Sequence, residues 1–289
     1  MNVYFNCPIC ESGSTPLFYA GGHRMYRCIN CSLAFVHPMP SEGFLIKFYS
    51  KFHRETTQGG YYDFIEERMK SDFSYKIRQI KSYLPEKNLR LIDVGSGKGF
   101  FVKRCNDAGI DAIGVDLSDT ATKFAKSKLG VSAINGKIED LSDRLEPADV
   151  VTFWATIEHL RNPFDTLHAI KKVLAPGGLL FLDTGIGNDW LDKLLPGYVQ
   201  WYDPPQHLHV HSKQSISILL EKCGFKVVKV DTLFERSAFR KYLRIMRGIV
   251  GGVSLRIASE ISRIKVAEPF EFTRFPIGNL MQVVARSDK

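Results

Sequence analysis

Six cysteines stand in this 289-residue chain, and four of them fall in two pairs, Cys7-x-x-Cys10 and Cys28-x-x-Cys31. A two-residue spacer lets both thiolates of a pair reach one ion from a tight turn, and two such knuckles complete a tetrahedral sulfur shell. Zinc suits that donor set, and a closed shell leaves no open position, so the expected metal is structural and does no chemistry. Disulfide pairing would need an oxidising compartment. A redox CxxC would need a βαβ pattern around it, which this stretch lacks. His23 and His37 become surface or packing residues once four sulfurs close the shell. Cys105 and Cys223 stand alone in helical patterns and read as core.

A second group is the loop Asp93-Val94-Gly95-Ser96-Gly97-Lys98-Gly99, which leaves an apolar strand and opens a helix. Glycines there permit positive φ and let a ligand approach the backbone. Asp116 ends the next strand, where an acid can accept hydrogen bonds from both hydroxyls of a ribose. The spacing discriminates between cofactors. A dinucleotide fingerprint needs glycine at the third position after Gly97, and Phe100 stands there. A P-loop needs Ser or Thr after Gly-Lys, and Gly99 stands there, with Ile92 at the earlier glycine position.

What remains, G-x-G-x-G after an aspartate, resembles motif I of the class I S-adenosylmethionine methyltransferases. Three further features strengthen the resemblance. Asp116 stands at the family's ribose position. The run Asp149 to Leu160, with its Glu158-His159-Leu160 tail, is similar to the family's fourth strand. Leu174-Ala175-Pro176-Gly177-Gly178 is similar to the turn before its fifth strand. The resemblance covers roughly residues 75–286, and the cysteine segment resembles a ribbon appended to some sugar-modifying members. By position it implies that Asp93, Gly95, Ser96, Gly97 and Gly99 line the methionine half of the cofactor. It implies that Asp116 takes the ribose, with Leu117 packing on the adenine. Lys137 and Ile138 would reach the adenine edge, although the family more often has an acid where Lys137 stands. Trp154 is either a wall of the methionine side or a core residue. Tyr61 and Tyr62 are candidates to cover the cofactor or to pack.

Methyl transfer from a sulfonium is an in-line displacement, so the protein mainly aligns the nucleophile and excludes water. A hydroxyl or carbon acid also needs a base, and histidine suits neutral pH. His207 in Asp203-Pro204-Pro205-Gln206-His207-Leu208-His209-Val210-His211 is the first candidate, because a similar Pro-x-His element lies beside the family's acceptor pocket. His159 is the second. The alternating His207, His209 and His211 could instead share a metal, or simply pack.

The elements that must position these groups alternate along the chain. Strands are expected at 89–94, 112–115, 131–135, 150–154, 179–183, 226–230 and 279–286, with helices between them. The fold class is therefore α/β: a Rossmann-like, mostly parallel seven-stranded sheet with helices on both faces, plus a small N-terminal zinc ribbon. The ribbon occupies 1–40, a helical linker and cofactor cap 41–85, and a methyltransferase domain 86–289, with a basic helical insertion at about 234–275.

The formal charge is +8, and much of the excess lies late, in Arg236, Arg240, Lys241, Arg244, Arg247, Arg256, Arg263 and Lys265, against Glu235 and Glu260. Such a segment fits a lid or acceptor contact, with peripheral contact to an anionic membrane as the second reading. No signal-peptide layout or membrane-length apolar run is seen, so the expected location is cytoplasmic, extending to the inner face of a membrane. The expected partner is a small-molecule acceptor: a sugar, a nucleotide sugar or a lipid-linked glycan. The alternative is an RNA- or protein-binding module with a vestigial cofactor fold. The ribbon lacks the aromatic and basic interleaving of a nucleic-acid platform, which argues against nucleic acid.

Overall fold

The computed structural model describes residues 4–45, 47–48, 61–85, 88–194, 199–233 and 279–289. The basic insertion and the side chains of Tyr61 and Tyr62 lie outside the described residues. Among the described residues no helix is long and apolar enough to cross a membrane.

The large sheet is built from β4 (Arg90–Val94), β5 (Asp111–Asp116), β6 (Ala133–Asn135), β7 (Ala148–Trp154), β8 (Leu174–Gly185), β10 (Phe225–Leu233) and β11 (Leu280–Ser287). Its spatial order is β10-β11-β8-β7-β4-β5-β6. The run from β8 to β6 is parallel, and β11 is antiparallel to both its neighbours. Strands buried on both faces read as continuous apolar runs, and alternate residues then serve opposite cores. Ile92, Val151, Leu180 and Leu182 enter one apolar cluster. Leu91, Val150, Leu179 and Phe181 enter the other.

The first cluster is covered by α5 (Pro163–Val173) and α7 (Lys213–Lys222). The second is covered by α1 (Tyr61–Tyr83), α2 (Phe100–Asp107) and α3 (Asp119–Leu129). Local signals set the helix ends. Ser118 caps α3 by accepting from the Ala121 amide, and Gly130 closes it at φ 66°. Asn162 caps α5 ahead of Pro163 at the first turn. Two short helices, α4 (Ile138–Leu141) and α6 (Trp190–Leu194), and a 3-10 turn at Ile157–His159 complete the elements of the site.

The cysteine segment forms a second sheet from β1 (Ser14–Ala20), β2 (His23–Cys28) and β3 (Ala34–Val36). Its fourth strand comes from far along the chain: β9 (His209–Val210) pairs antiparallel with β3, Ala34 against Val210 and Phe35 against His209. Cys7, Ile9, Tyr26, Leu33 and Phe35 share one apolar cluster with Ile157, Ile216, Leu219 and Leu220. The ribbon is thus fused to the α/β core through the histidine-rich run.

Candidate functional site

The four knuckle cysteines converge. One Sγ from each of Cys7, Cys10, Cys28 and Cys31 lies within 4.8 Å of the others. Cys7 Sγ is 3.6 Å from Cys31 Sγ, and Cys10 Sγ is 3.4 Å from Cys28 Sγ. A tetrahedron with ~2.3 Å metal–sulfur bonds has edges of about 3.8 Å, so the spacing fits a shared zinc ion. The amides of Asn30 and Cys31 both point at Cys28 Sγ, each at 3.4 Å, as suits a thiolate. The Cys7 thiol is pushed down to about 5, chiefly by Cys31 beside it. The same contact pushes Cys31 up.

The glycine loop lies where β4 has β5 on one side and β7 on the other, the point at which the chain order reverses and ligands bind beyond the strand ends. Gly95, Gly97 and Gly99 all have positive φ, but what each faces differs. A Cβ on Gly95 would meet Thr156 Oγ1 at 2.5 Å. One on Gly99 would meet Ala125 Cβ at 2.9 Å, so this glycine brings α2 close to α3. Of the three, only Gly97 faces open space among the described residues. The Ser96 hydroxyl is buried without a protein partner among the described residues.

Asp116 stands across the loop. Its carboxylate accepts from the Gly97 amide and from the Ser118 amide, both at 2.8 Å. Each oxygen keeps a further lone pair for a ribose hydroxyl. Leu117 is 68% exposed, an uncovered apolar surface beside that acid. A cradle open at Gly97, a positioned acid and a bare leucine fit an adenosyl ligand. Ile138 is buried in the core, so its side chain does not present itself to a ligand. The Lys137 ammonium is engaged by Glu42 at 2.6 Å.

Beneath the loop, Asp93 and Trp154 share a charged cluster with Lys76, Asp72 and Asp183, three residues that no sequence motif pointed to. Lys76 of α1 is buried, with Nζ 2.8 Å from Asp183 and 3.0 Å from Asp72. The same ammonium lies 4.2 Å from the centre of the Trp154 ring. Burial opposes its charge, but the two carboxylates outweigh burial and raise it. Asp183 also accepts from the Ala155 amide at 2.8 Å. Asp93 is buried and accepts from the Thr152 hydroxyl at 2.6 Å, and burial pushes its carboxyl up to about 7. Trp154 packs edge-on against Phe101, and its indole nitrogen is buried without a protein partner among the described residues. The signal for this cluster was an aspartate inside the apolar strand around Leu179–Asp183.

The tail of β7 leads from the loop to the histidines. Thr156 touches Gly95, and His159 follows in the 3-10 turn. The His159 and His207 rings stand 4.9 Å apart. His159 Nδ1 donates to the Gln206 carbonyl at 2.7 Å, and His207 Nδ1 donates to the Trp201 carbonyl at 2.8 Å. That tautomer leaves His207 Nε2 as a proton acceptor. Burial, then the neighbouring His159, pushes His207 down to about 4, so the ring is neutral at pH 7. Burial pushes Glu158 up to about 8, and its carboxyl accepts from the Thr184 hydroxyl at 2.9 Å. One donor atom each from Glu158, His159 and His207 lies within 4.8 Å of the others, a set able to hold a cation.

The three alternating histidines do not gather on one ion among the described residues. His209 and His211 are buried where β9 meets the ribbon, with rings 6.0 Å apart. His207 turns to His159 instead.

The profile described as "Methyltransferase domain" matches residues 66–230, more than half of the chain. The chain belongs to that family. It is 29% identical over 150 residues to a ubiquinone biosynthesis O-methyltransferase of Cereibacter sphaeroides, covering 46% of this chain and 60% of that protein. It is 27% identical over 172 residues to a tRNA U34 carboxymethyltransferase of Azotobacter vinelandii, covering 57% of this chain and 53% of that one. Two solved structures share the fold. A SAM-dependent methyltransferase from Archaeoglobus fulgidus matches with TM-score 0.50 at 18% identity, over 78% of this chain and all of that one. The YcgJ protein from Bacillus subtilis matches with TM-score 0.51 at 14% identity, over 75% and 99%.

Proposed function

We propose that this chain transfers a methyl group from S-adenosylmethionine to a hydroxyl-bearing small molecule, with His207 as the base and zinc held by the four cysteines. The observation that carries it is a continuous path. Gly97 opens the cofactor cradle, Thr156 touches the same loop at Gly95, and His159 three residues on faces a neutral His207. Bound cofactor supplies an activated methyl on a sulfonium. Asp116 and the Gly97 backbone hold the adenosyl end, and the wall of Trp154 limits the methionine side. His207 Nε2 takes the acceptor proton, while Trp201 and Gln206 fix both imidazoles by their Nδ1 atoms.

For the acceptor we favour a sugar, a nucleotide sugar or a lipid-linked glycan, on the resemblance of the cysteine ribbon to that of sugar-modifying methyltransferases. His207→Ala should abolish methyl transfer from labelled S-adenosylmethionine to such acceptors and leave S-adenosylhomocysteine affinity unchanged. A fully active variant removes His207 from the mechanism.

A second reading rests on the Glu158, His159 and His207 donors: a divalent cation there would orient the acceptor oxygen in place of a base. Activity that needs an added cation while the cysteine site keeps its zinc would favour it. Cofactor binding without turnover, together with salt-sensitive RNA affinity, would turn the reading to an RNA-binding module.

A further inference from the structure

The loop that carries His207 is held from outside by the cysteine ribbon at four places. Arg27 of β2 donates to Asp192 at 2.6 Å and to the Tyr202 hydroxyl, and that hydroxyl donates to Asp192 at 2.7 Å. Tyr202 and Asp192 are fully buried. At the tip of the β1–β2 hairpin, Gly21 sits so close to the loop that a Cβ there would lie 2.2 Å from the Pro204 carbonyl oxygen. The Val36 amide donates to the Leu208 carbonyl at 3.0 Å, continuing the β3–β9 pairing. The Ser212 hydroxyl donates to the Cys31 carbonyl at 2.6 Å, inside the second knuckle. The same hydroxyl caps α7 by accepting from the Ser215 amide at 3.0 Å.

From inside, the loop grips the other half of the site. The Leu208 amide donates to the Glu158 carbonyl at 2.8 Å, and Gln206 holds the His159 ring. The backbone between Trp201 and Ser212 is therefore a plate with the ribbon on one face and the Glu158-His159 turn on the other. Short loops hold position only as well as their supports allow, and here the ribbon's supports are two hydrogen-bonded side chains, one shared strand and the close approach of Gly21 to Pro204.

We propose that the cysteine ribbon is part of the acceptor site's framework, with Arg27 and Ser212 as positioning residues that set the His207–His159 pair. The inference builds on the reading of those histidines as the acceptor-side groups. The ribbon's metal then acts at a distance: it fixes the Cys31 knuckle, and the knuckle fixes Ser212 and β9.

The test compares Arg27→Met, Ser212→Ala, Ser212→Thr and chelator-treated protein with the wild type. Three readouts need no acceptor. Imidazole Cε1–Hε1 resonances of His207 and His159 are assigned by single histidine substitutions. Amide exchange is followed over residues 206–211, and affinity is measured for S-adenosylhomocysteine. Ser212→Ala, Arg27→Met and metal removal should each shift or broaden both histidine resonances and speed exchange there about tenfold. S-adenosylhomocysteine affinity should stay at the wild-type value. Threonine keeps the hydroxyl, so Ser212→Thr should restore the wild-type resonances.

Unmoved resonances in Ser212→Ala and Arg27→Met would overturn the inference. So would a loss of cofactor affinity in step with the resonance changes, which marks general destabilisation. If Arg27→Met does not fold, the Ser212 pair decides alone. If the resonances move but His207→Ala retains full activity, the framework stands and only the catalytic reading of His207 falls.

Discussion

Gly95 and Gly97 share a positive φ, at 74° and 53°, yet their substitution should give different defects. Left-handed backbone costs a residue with a Cβ on the order of 1 kcal/mol at either position. Gly95→Ala adds a collision with Thr156, which belongs to the tail of β7 and has its own hydroxyl bound to the Trp154 carbonyl at 2.7 Å. Gly97→Ala adds no collision with a described residue, only a methyl in the cradle. Gly95→Ala should therefore lower the melting temperature clearly and Gly97→Ala only slightly. S-adenosylhomocysteine titration should show the larger loss of affinity per unit of lost stability in Gly97→Ala. Equal ratios in the two variants would mean that Gly97 does not face the ligand. The spacing of the three glycines was legible in the sequence. Their division of labour was not, because the neighbours that decide it, Thr156 and Ala125, arrive from separate elements.

At the scale of elements, α1 is tied to the sheet by a buried charge rather than by apolar contacts alone. Lys76 meets Asp183 at 2.8 Å with both side chains nearly sealed from water. Removing one partner leaves a buried charge without compensation, which costs about 3–5 kcal/mol. Lys76→Met should lower the urea-unfolding free energy by about that amount, and Asp183→Asn in the same chain should recover part of it. A near-additive double mutant would show that the pair is not coupled. The alternating pattern foretold the strands and the order of the α/β units, since periodicity and turn residues are local. It did not foretell Lys76 on the buried side of a helix, nor β9 as the fourth strand of the ribbon. A two-residue strand, His209–Val210, carries almost no periodicity, and its partner at Ala34–Phe35 lies near the other end of the chain.

For the whole molecule, buried titratable groups of opposite sign set a pH optimum of stability. Burial holds His207 and His209 down at about 4 and His211 at about 3, against 6.5 for an exposed histidine. Between those values the unfolded chain binds protons that the native state refuses, so these three groups lose stability as pH falls from 6.5 towards 4. Burial holds Asp93 up at about 7 and Glu158 at about 8, against ordinary values of 3.8 and 4.5. There the native state keeps protons that the unfolded chain releases. Their contribution is complete below the ordinary carboxylate range and is lost as pH rises through 7 to 8.

His159 is held down by burial as well, so the lowered histidines outnumber the two raised carboxyls; stability rises with pH between roughly 4.5 and 6.5, and the carboxyls alone then reverse the slope. The melting temperature should peak near pH 6.5 and fall on both sides. Protonation of the cysteines would release any metal they hold and add to the acid side, so a comparison of slopes isolates the histidine part. His211→Asn should flatten the acid limb relative to the wild type and leave the alkaline limb unchanged. A melting temperature that climbs steadily from pH 5 to pH 9, or an acid limb untouched by His211→Asn, would show that these buried groups do not govern the stability of the fold.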